Sequence, residues 1–314
     1  MANLEDRVLT GIAALERRKV FANMVETRGH KYAGIIRGMQ TFRWLMLLQT
    51  KGNFVEAKRR GEILITFYAA MRWVDDIIDG DVQLPASEKS RIYYVDKRLE
   101  FVNGGMKNPT DTADWLLLHS ASVAKKLGFQ ITGETSAILN SMRFDAQRID
   151  QYALSRRLVT YPASELQGYF HDQDITGTVS GMLKLFDEPP SKTALLAPIG
   201  NAHRLYLTIK DFPKDLKAGL VNIPAEDCER LQIRMHDLEK VAAEADISHP
   251  AAIPLGIRKW LAETARNGLE LLDYHKSQVL PKNSLNYLGR FVLWFMYQKQ
   301  AEKALRRAFE TYAL

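Results

Sequence analysis

Apolar residues along this chain recur at helical spacing. Between Glu62 and Asp79, the positions Ile63, Phe67, Ala70, Val74 and Ile77 step by four and three, which marks one buried helix face. Leu261, Ala265, Leu269 and Leu272 repeat the pattern further on. Polar/apolar alternation bounded by turns is nearly absent, and no Asn-Gly or Asp-Gly turn joins two β-branched runs; Asp79-Gly80 ends a helix instead. The expected fold class is all-α. Breaks fall at Gly80 to Pro85, Asn103 to Thr112, Asp187 to Lys192, Gly219 to Pro224 and Ser248 to Pro254, each short and rich in Gly, Pro, Asn or Asp. None resembles a domain linker and no fixed-period repeat occurs, so residues 1–314 are expected to form a single helical domain.

Composition narrows this little. With 46% hydrophobic and 25% charged residues, the chain reads as an ordinary globular protein rather than a disordered or low-complexity one. The formal net charge of +6 suits an anionic substrate, a nucleic acid or an anionic membrane equally. A single cysteine, Cys228, excludes an intramolecular disulfide framework and a cysteine-cluster metal site, and is compatible with a reducing cytosol. Apolar runs such as Phe291 to Met296 fall far short of the roughly 20 residues of a membrane span, and the charge-studded start does not read as a leader. A cytoplasmic protein is expected.

The strongest chemical signal is Tyr68-Ala-Ala-Met-Arg72-Trp-Val-Asp75-Asp76-Ile-Ile-Asp79. On a helix, Tyr68, Arg72, Asp75 and Asp79 share one stripe. Carboxylates at i and i+4 repel by roughly a few tenths of a kcal/mol on an open surface. A bound hard cation reverses that sign, and Mg²⁺ is commonly held by one or two carboxylates plus substrate phosphates. Taken alone, such a pair is a solvated helix end; here the stripe continues beside Ile63, Phe67 and Val74.

A second pair, Asp211-Phe-Pro-Lys-Asp215, ends the helical run His203 to Lys217, with Lys210, Lys214 and Lys217 interleaved. Two such pairs could face each other across a cavity and hold Mg²⁺, the lysines meeting phosphate oxygens. That arrangement suits ionisation of a diphosphate: cations stabilise the leaving group while apolar walls shelter a carbocation. The competing reading is two unrelated charged helix ends. No His-x-x-x-His or Glu-x-x-His pairing suggests zinc, no Gly-rich phosphate loop is present, and the basic runs Arg17 to Lys19 and Lys58 to Arg60 lack the interleaved aromatics of a nucleic-acid platform. His171 and His203 read as surface or capping residues. The amphipathic stretch Lys303 to Leu314 could touch an anionic membrane, although core packing is the default for such a face.

These motifs resemble the squalene and phytoene synthase family, a branch of the class I isoprenoid synthases. Tyr68 to Asp79 is similar to its first aspartate-rich motif, and Lys210-Asp211 through Asp215, Gly219 and Pro224 to its second. Glu165-Leu166-Gln-Gly-Tyr169 with Ile175-Thr-Gly177-Thr-Val179 resembles its central helix, and Asp145 falls where the family carries an acid. Thr41-Phe42 resembles the N-terminal substrate-contacting segment, and Leu280-Pro281 with Tyr297 the end, so the resemblance spans about residues 32–303.

The resemblance implies a class I isoprenoid-synthase helical bundle around a central cavity. It implies that Asp75, Asp79, Asp211 and Asp215 bind Mg²⁺, and that Arg72 and Lys210 contact diphosphate. Lys214 and Lys217 join them as phosphate partners, Thr41 and Phe42 bind substrate, and Tyr68, Arg72 and Tyr297 act near the reacting carbons. Family members couple two prenyl diphosphates head to head through a cyclopropylcarbinyl diphosphate, ending by proton loss or by hydride from NADPH, to which no residue here points. Three departures stand out. Leu207 replaces a polar residue, often Asn, one turn before Asp211; Pro213 lies between the motif aspartates and is expected to kink the helix; and His171, Asp172 and Asp174 occupy a stretch that is mostly aromatic or small in relatives. Asp172 and Asp174 are expected to be solvated, with an extra metal ligand or a base as the other reading. The departures leave open a cyclase or transferase acting on a single prenyl diphosphate, and a non-catalytic relative used in assembly or lipid binding.

Overall fold

The computed structural model describes residues 4–29, 36, 38, 46–48, 50–244, 250–279, 285–286, 289–290 and 293–313. Among them no strand forms; the one isolated bridge joins Tyr161 to Pro224. No described helix is long and apolar enough to cross a membrane. The helices are α1 (Leu4–Arg28), α2 (Phe54–Asp79), α3 (Arg91–Asn103), α4 (Thr112–Lys126), α5 (Thr132–Ser155), α6 (Ala163–Phe170), α7 (Ser180–Leu185), α8 (Thr193–Lys217), α9 (Ala225–Arg230), α10 (Met235–Glu244), α11 (Leu255–Tyr274) and α12 (Lys299–Tyr312). Wider π-helical turns occupy His171–Val179, His275–Val279 and Leu293–Gln298. The chain divides into two compact units, residues 1–143 with 181–188, and residues 144–180 with 189–314.

In the first unit, α2 packs on α4, and α1 lies against both. Asn53 starts α2 by accepting a hydrogen bond from the Glu56 N–H at 3.2 Å, and Gly80 ends it at φ 83°, a left-handed conformation that glycine adopts without strain. Of the stripe read from the sequence, Ile63, Ala70, Val74 and Ile77 are each at most 2% exposed and Phe67 is half-buried, while Ile65, Ala69, Trp73 and Ile78 are buried as well, so the helix is enclosed on more than that one face. Ile63 meets Val123, Ala124, Ile131 and Leu185 in one apolar cluster. Arg60 is buried among these elements and donates to the carbonyls of Lys184 and Leu185 at 3.0 and 2.9 Å, satisfying acceptors that the end of α7 leaves open.

In the second unit, α8 is central, packing against α11 and the π-helical segment. It begins at Thr193, ten residues before the expected start, and continues unbroken through Pro213 to Lys217. Pro213 withholds its N–H from the helix ladder, yet the helix runs on through it to Lys217. The i, i+4 relation of Asp211 and Asp215 therefore survives. At Gly200 a Cβ would lie 2.6 Å from Ile175 Cδ1 and 3.3 Å from Val179 Cγ2, so the absence of a side chain lets α8 approach the π-helical segment. The terminal helix α12 follows the core-packing expectation: Ala301 and Leu305 are buried, and α12 packs on α11.

Candidate active site

In the first unit the aspartates of α2 are bound up with arginines. Arg72 pairs with Asp75 one turn on and with Asp76, and Arg28, the last residue of α1, pairs with Asp81 and with Asp76 and Asp79 at 2.8 and 3.7 Å. Asp76, which a bland reading of the motif leaves solvated, is fully buried. Its desolvation is offset by two guanidinium groups. Tyr68 lies half-buried on the same helix, one turn before Arg72. Arg28 has no signal in the motif, because it arrives from a helix 48 residues away.

In the second unit, Arg204, Thr208, Asp211 and Asp215 follow one another on a single face of α8, at steps of four, three and four. Asp211 is the outer carboxylate, 3.5 Å from its neighbour Lys210. Lys210, Lys214 and Lys217 are all exposed at this end of the helix. Asp215 is more enclosed. Burial, together with the neighbouring Asp211 and Asp145 carboxylates, pushes its pKa up to about 7, against weaker opposing pulls from Arg204 and Lys214.

A hydrogen-bonded chain runs back from Asp215. The Asn222 amide donates to Asp215 Oδ2 at 2.9 Å; Arg148 donates to Asn222 Oδ1 at 2.9 Å and to Asp145 Oδ1 at 2.5 Å. The Tyr169 hydroxyl donates to Asp145 Oδ2 at 2.8 Å. Tyr169 is held well above its ordinary pKa by burial and by the Asp145 carboxylate, so it remains a donor. The Arg148 guanidinium lies over the rings of Phe144 and Tyr169, 4.7 and 5.2 Å from their centroids.

Two turns before Asp211, Arg204 forms a forked pair with Asp174, Nε to Oδ2 at 2.5 Å and Nη2 to Oδ1 at 2.9 Å, and a further bond to Gln173 Oε1 at 2.7 Å. Asp174 is 8% exposed, which corrects the expectation of a solvated acid: the first turn of the π-helical segment turns it toward α8. Asp172 is half-buried. His203 is half-buried rather than a plain surface residue. Its ring packs on that of Tyr297, with centroids 4.7 Å apart, and burial lowers its pKa to about 4 despite the nearby Asp174. Tyr297 is buried, which raises its pKa. His171 is exposed, as expected. Thr41, Phe42, Leu280 and Pro281 lie outside the described residues.

The α8 face fits a hard divalent cation. Its donors are carboxylate oxygens, Asp215 is crowded by like charge that a cation would relieve, and the buried Thr208 hydroxyl one turn before Asp211 has no hydrogen-bond partner among the described residues. Among the described residues no group of three or more His, Cys, Asp or Glu side chains is arranged to hold a metal, and two-carboxylate sets are what substrate-phosphate Mg²⁺ sites use. Arg148, Arg204 and Asn222 were not singled out from the sequence. Arg204, seven residues before Asp211 on the same face, was accessible to spacing; Arg148 was not.

Residues 53–281, most of the chain, match the family model described as squalene/phytoene synthase. No curated protein and no solved structure gives a match. The match takes in both aspartate motifs, the all-α architecture and the whole hydrogen-bonded chain from Tyr169 to Asp215, and the protein therefore belongs to the squalene/phytoene synthase family.

Proposed function

We propose that this protein is a Mg²⁺-dependent transferase that condenses two prenyl diphosphates head to head and releases diphosphate. The product is a squalene-, phytoene- or dehydrosqualene-type hydrocarbon, or the presqualene-type intermediate. The observation that supports this most is the α8 face, where Asp211 and a like-charge-crowded Asp215 stand among three exposed lysines. When bound, Mg²⁺ would neutralise charge on the departing diphosphate. On α8, Asp211 and Asp215 would supply oxygens to it; on α2, Asp75 and Asp79 form the other carboxylate pair that the family resemblance marks for a metal.

The chain's own groups divide the remaining work. Lys210, Lys214 and Lys217 offer N–H donors to phosphate oxygens, and their exposure lets them move to meet a substrate. Arg72, now paired with Asp75 and Asp76, exchanges a carboxylate for a phosphate oxygen when diphosphate arrives. Tyr297 and the uncharged His203 form an aromatic wall. Because burial keeps His203 neutral, that wall adds no positive charge against an allylic cation, and the Tyr297 ring face would attract one. Asp145 holds the Tyr169 hydroxyl and Arg148 in place.

Incubation of the purified protein with farnesyl or geranylgeranyl diphosphate and Mg²⁺, with and without NADPH, followed by mass analysis of the extract, tests the reading. Diphosphate release with a doubled carbon skeleton is the expected result. No diphosphate release from either substrate would refute it. The second reading is a cyclase or transferase acting on one prenyl diphosphate. It is raised by Leu207 standing where relatives carry a polar residue, and a single-length cyclic product would establish it.

A further inference from the structure

Asn222 lies on the short segment between Gly219 and Pro224 and is 8% exposed. The two ends of its amide have different partners. Its carbonyl oxygen accepts from Arg148 Nη1 at 2.9 Å, and its NH₂ donates to Asp215 Oδ2 at 2.9 Å. A guanidinium can only donate, so Arg148 fixes which end of the amide carries oxygen and turns the NH₂ toward Asp215. Arg148 itself is held on several sides. Nη1 also donates to the Val221 carbonyl at 3.2 Å, Nη2 donates to Asp145 at 2.5 Å, and the Phe144 and Tyr169 rings lie beneath its plane.

We propose that Arg148 and Asn222 act as a positioning brace for Asp215, occupying Oδ2 with an oriented amide donor and reserving Oδ1 for a divalent cation. This rests on the reading of Asp215 as a metal ligand and adds how that ligand is aimed. A carboxylate that is hydrogen-bonded through one oxygen cannot rotate freely to grip a cation with both. The brace therefore sets a one-oxygen mode of binding and an approach direction. Neither Arg148 nor Asn222 touches the substrate in this scheme, and their effect passes entirely through Asp215.

The test is Mn²⁺ binding to the metal-free full-length protein, followed by the spin-resonance signal of free Mn²⁺, in wild type, Asp215→Asn, Asn222→Leu and Arg148→Lys. Removing a partner that orients a metal ligand lowers metal affinity by about 10- to 100-fold, and Asn222→Leu is expected at the lower end of that range. The Mg²⁺ concentration for half-maximal activity should rise by a similar factor, while kcat at saturating Mg²⁺ stays within about threefold of wild type. Arg148→Lys added to Asn222→Leu should weaken Mn²⁺ little further, because the two act through one bond. Thermal midpoints in a chelator report folding separately, and where Arg148→Lys fails to fold, Asn222→Leu alone decides. Unchanged Mn²⁺ affinity in Asn222→Leu alongside a loss in Asp215→Asn overturns the brace and leaves Asp215 as a ligand. Unchanged affinity in Asp215→Asn overturns both.

Discussion

Replacing Asp174 with asparagine leaves the Arg204 guanidinium buried without its counter-charge. The wild-type pair is forked, at 2.5 and 2.9 Å, with only 14% and 11% of the two side chains exposed. Two unit charges about 3 Å apart interact by roughly 5 kcal/mol at an effective dielectric of about 20. Removing one partner of such a pair costs about 3–5 kcal/mol, because the survivor's desolvation is no longer offset. Asparagine keeps one oxygen acceptor, and Gln173 still accepts at 2.7 Å, which places the expected loss near about 3 kcal/mol. For a unit of this size a kcal/mol moves the melting midpoint by about 2–4 °C, so thermal unfolding followed by circular dichroism should show a drop of roughly 6–12 °C. The double variant Asp174→Leu with Arg204→Leu should recover most of that loss, since it leaves no buried charge unpaired. A drop below about 2 °C for Asp174→Asn, or a double variant worse than the sum of the singles, would refute the reasoning.

Gly200→Ala drives a methyl group to within 2.6 Å of Ile175 Cδ1; overpacking of this kind costs about 1–3 kcal/mol, and adding Ile175→Val should restore part of the urea midpoint. His275 is fully buried, neither ring nitrogen has a hydrogen-bond partner among the described residues, and burial lowers its pKa to about 4. Between that value and the ordinary 6.5 the unfolded chain binds a proton that the folded chain refuses, so stability falls as pH drops through this window. His275→Leu should raise the melting midpoint, and by more at pH 5 than at pH 8. For Asp215 the sign is opposite: its folded pKa is raised to about 7, so the stability it contributes to the metal-free protein is present at acid pH and lost as pH rises through 7. Mn²⁺ affinity should climb over that same interval and level off above it, because the cation competes with the proton. Asp215→Asn should flatten both profiles.

Much of the fold was legible from spacing. Four of the five α2 stripe positions, Ile63, Ala70, Val74 and Ile77, are buried as the period requires, the breaks at Gly80 and Gly219 fall where helices end, and the two aspartate pairs stand on helices at i, i+4. Pro213 does not end the helix, which continues for four residues beyond it to Lys217. The burial of Asp174 was not legible, nor the packing of half-buried His203 on Tyr297, because single-residue tendencies place both in solvent.

The sequence by itself determined the helices and which residues share a face of each, since those follow from a repeat of 3.6 residues that acts within a few turns. Tertiary structure alone decided which charges meet. Arg28 reaches Asp76 across 48 positions, Arg204 reaches Asp174 across 30, and Arg148 reaches Asn222 across 74. Those encounters also set the chemistry. Removing a carboxylate from water and giving it an arginine, an amide or another carboxylate as neighbour decides whether it is a neutralised structural anchor, as with Asp76, or a crowded oxygen suited to a cation, as with Asp215.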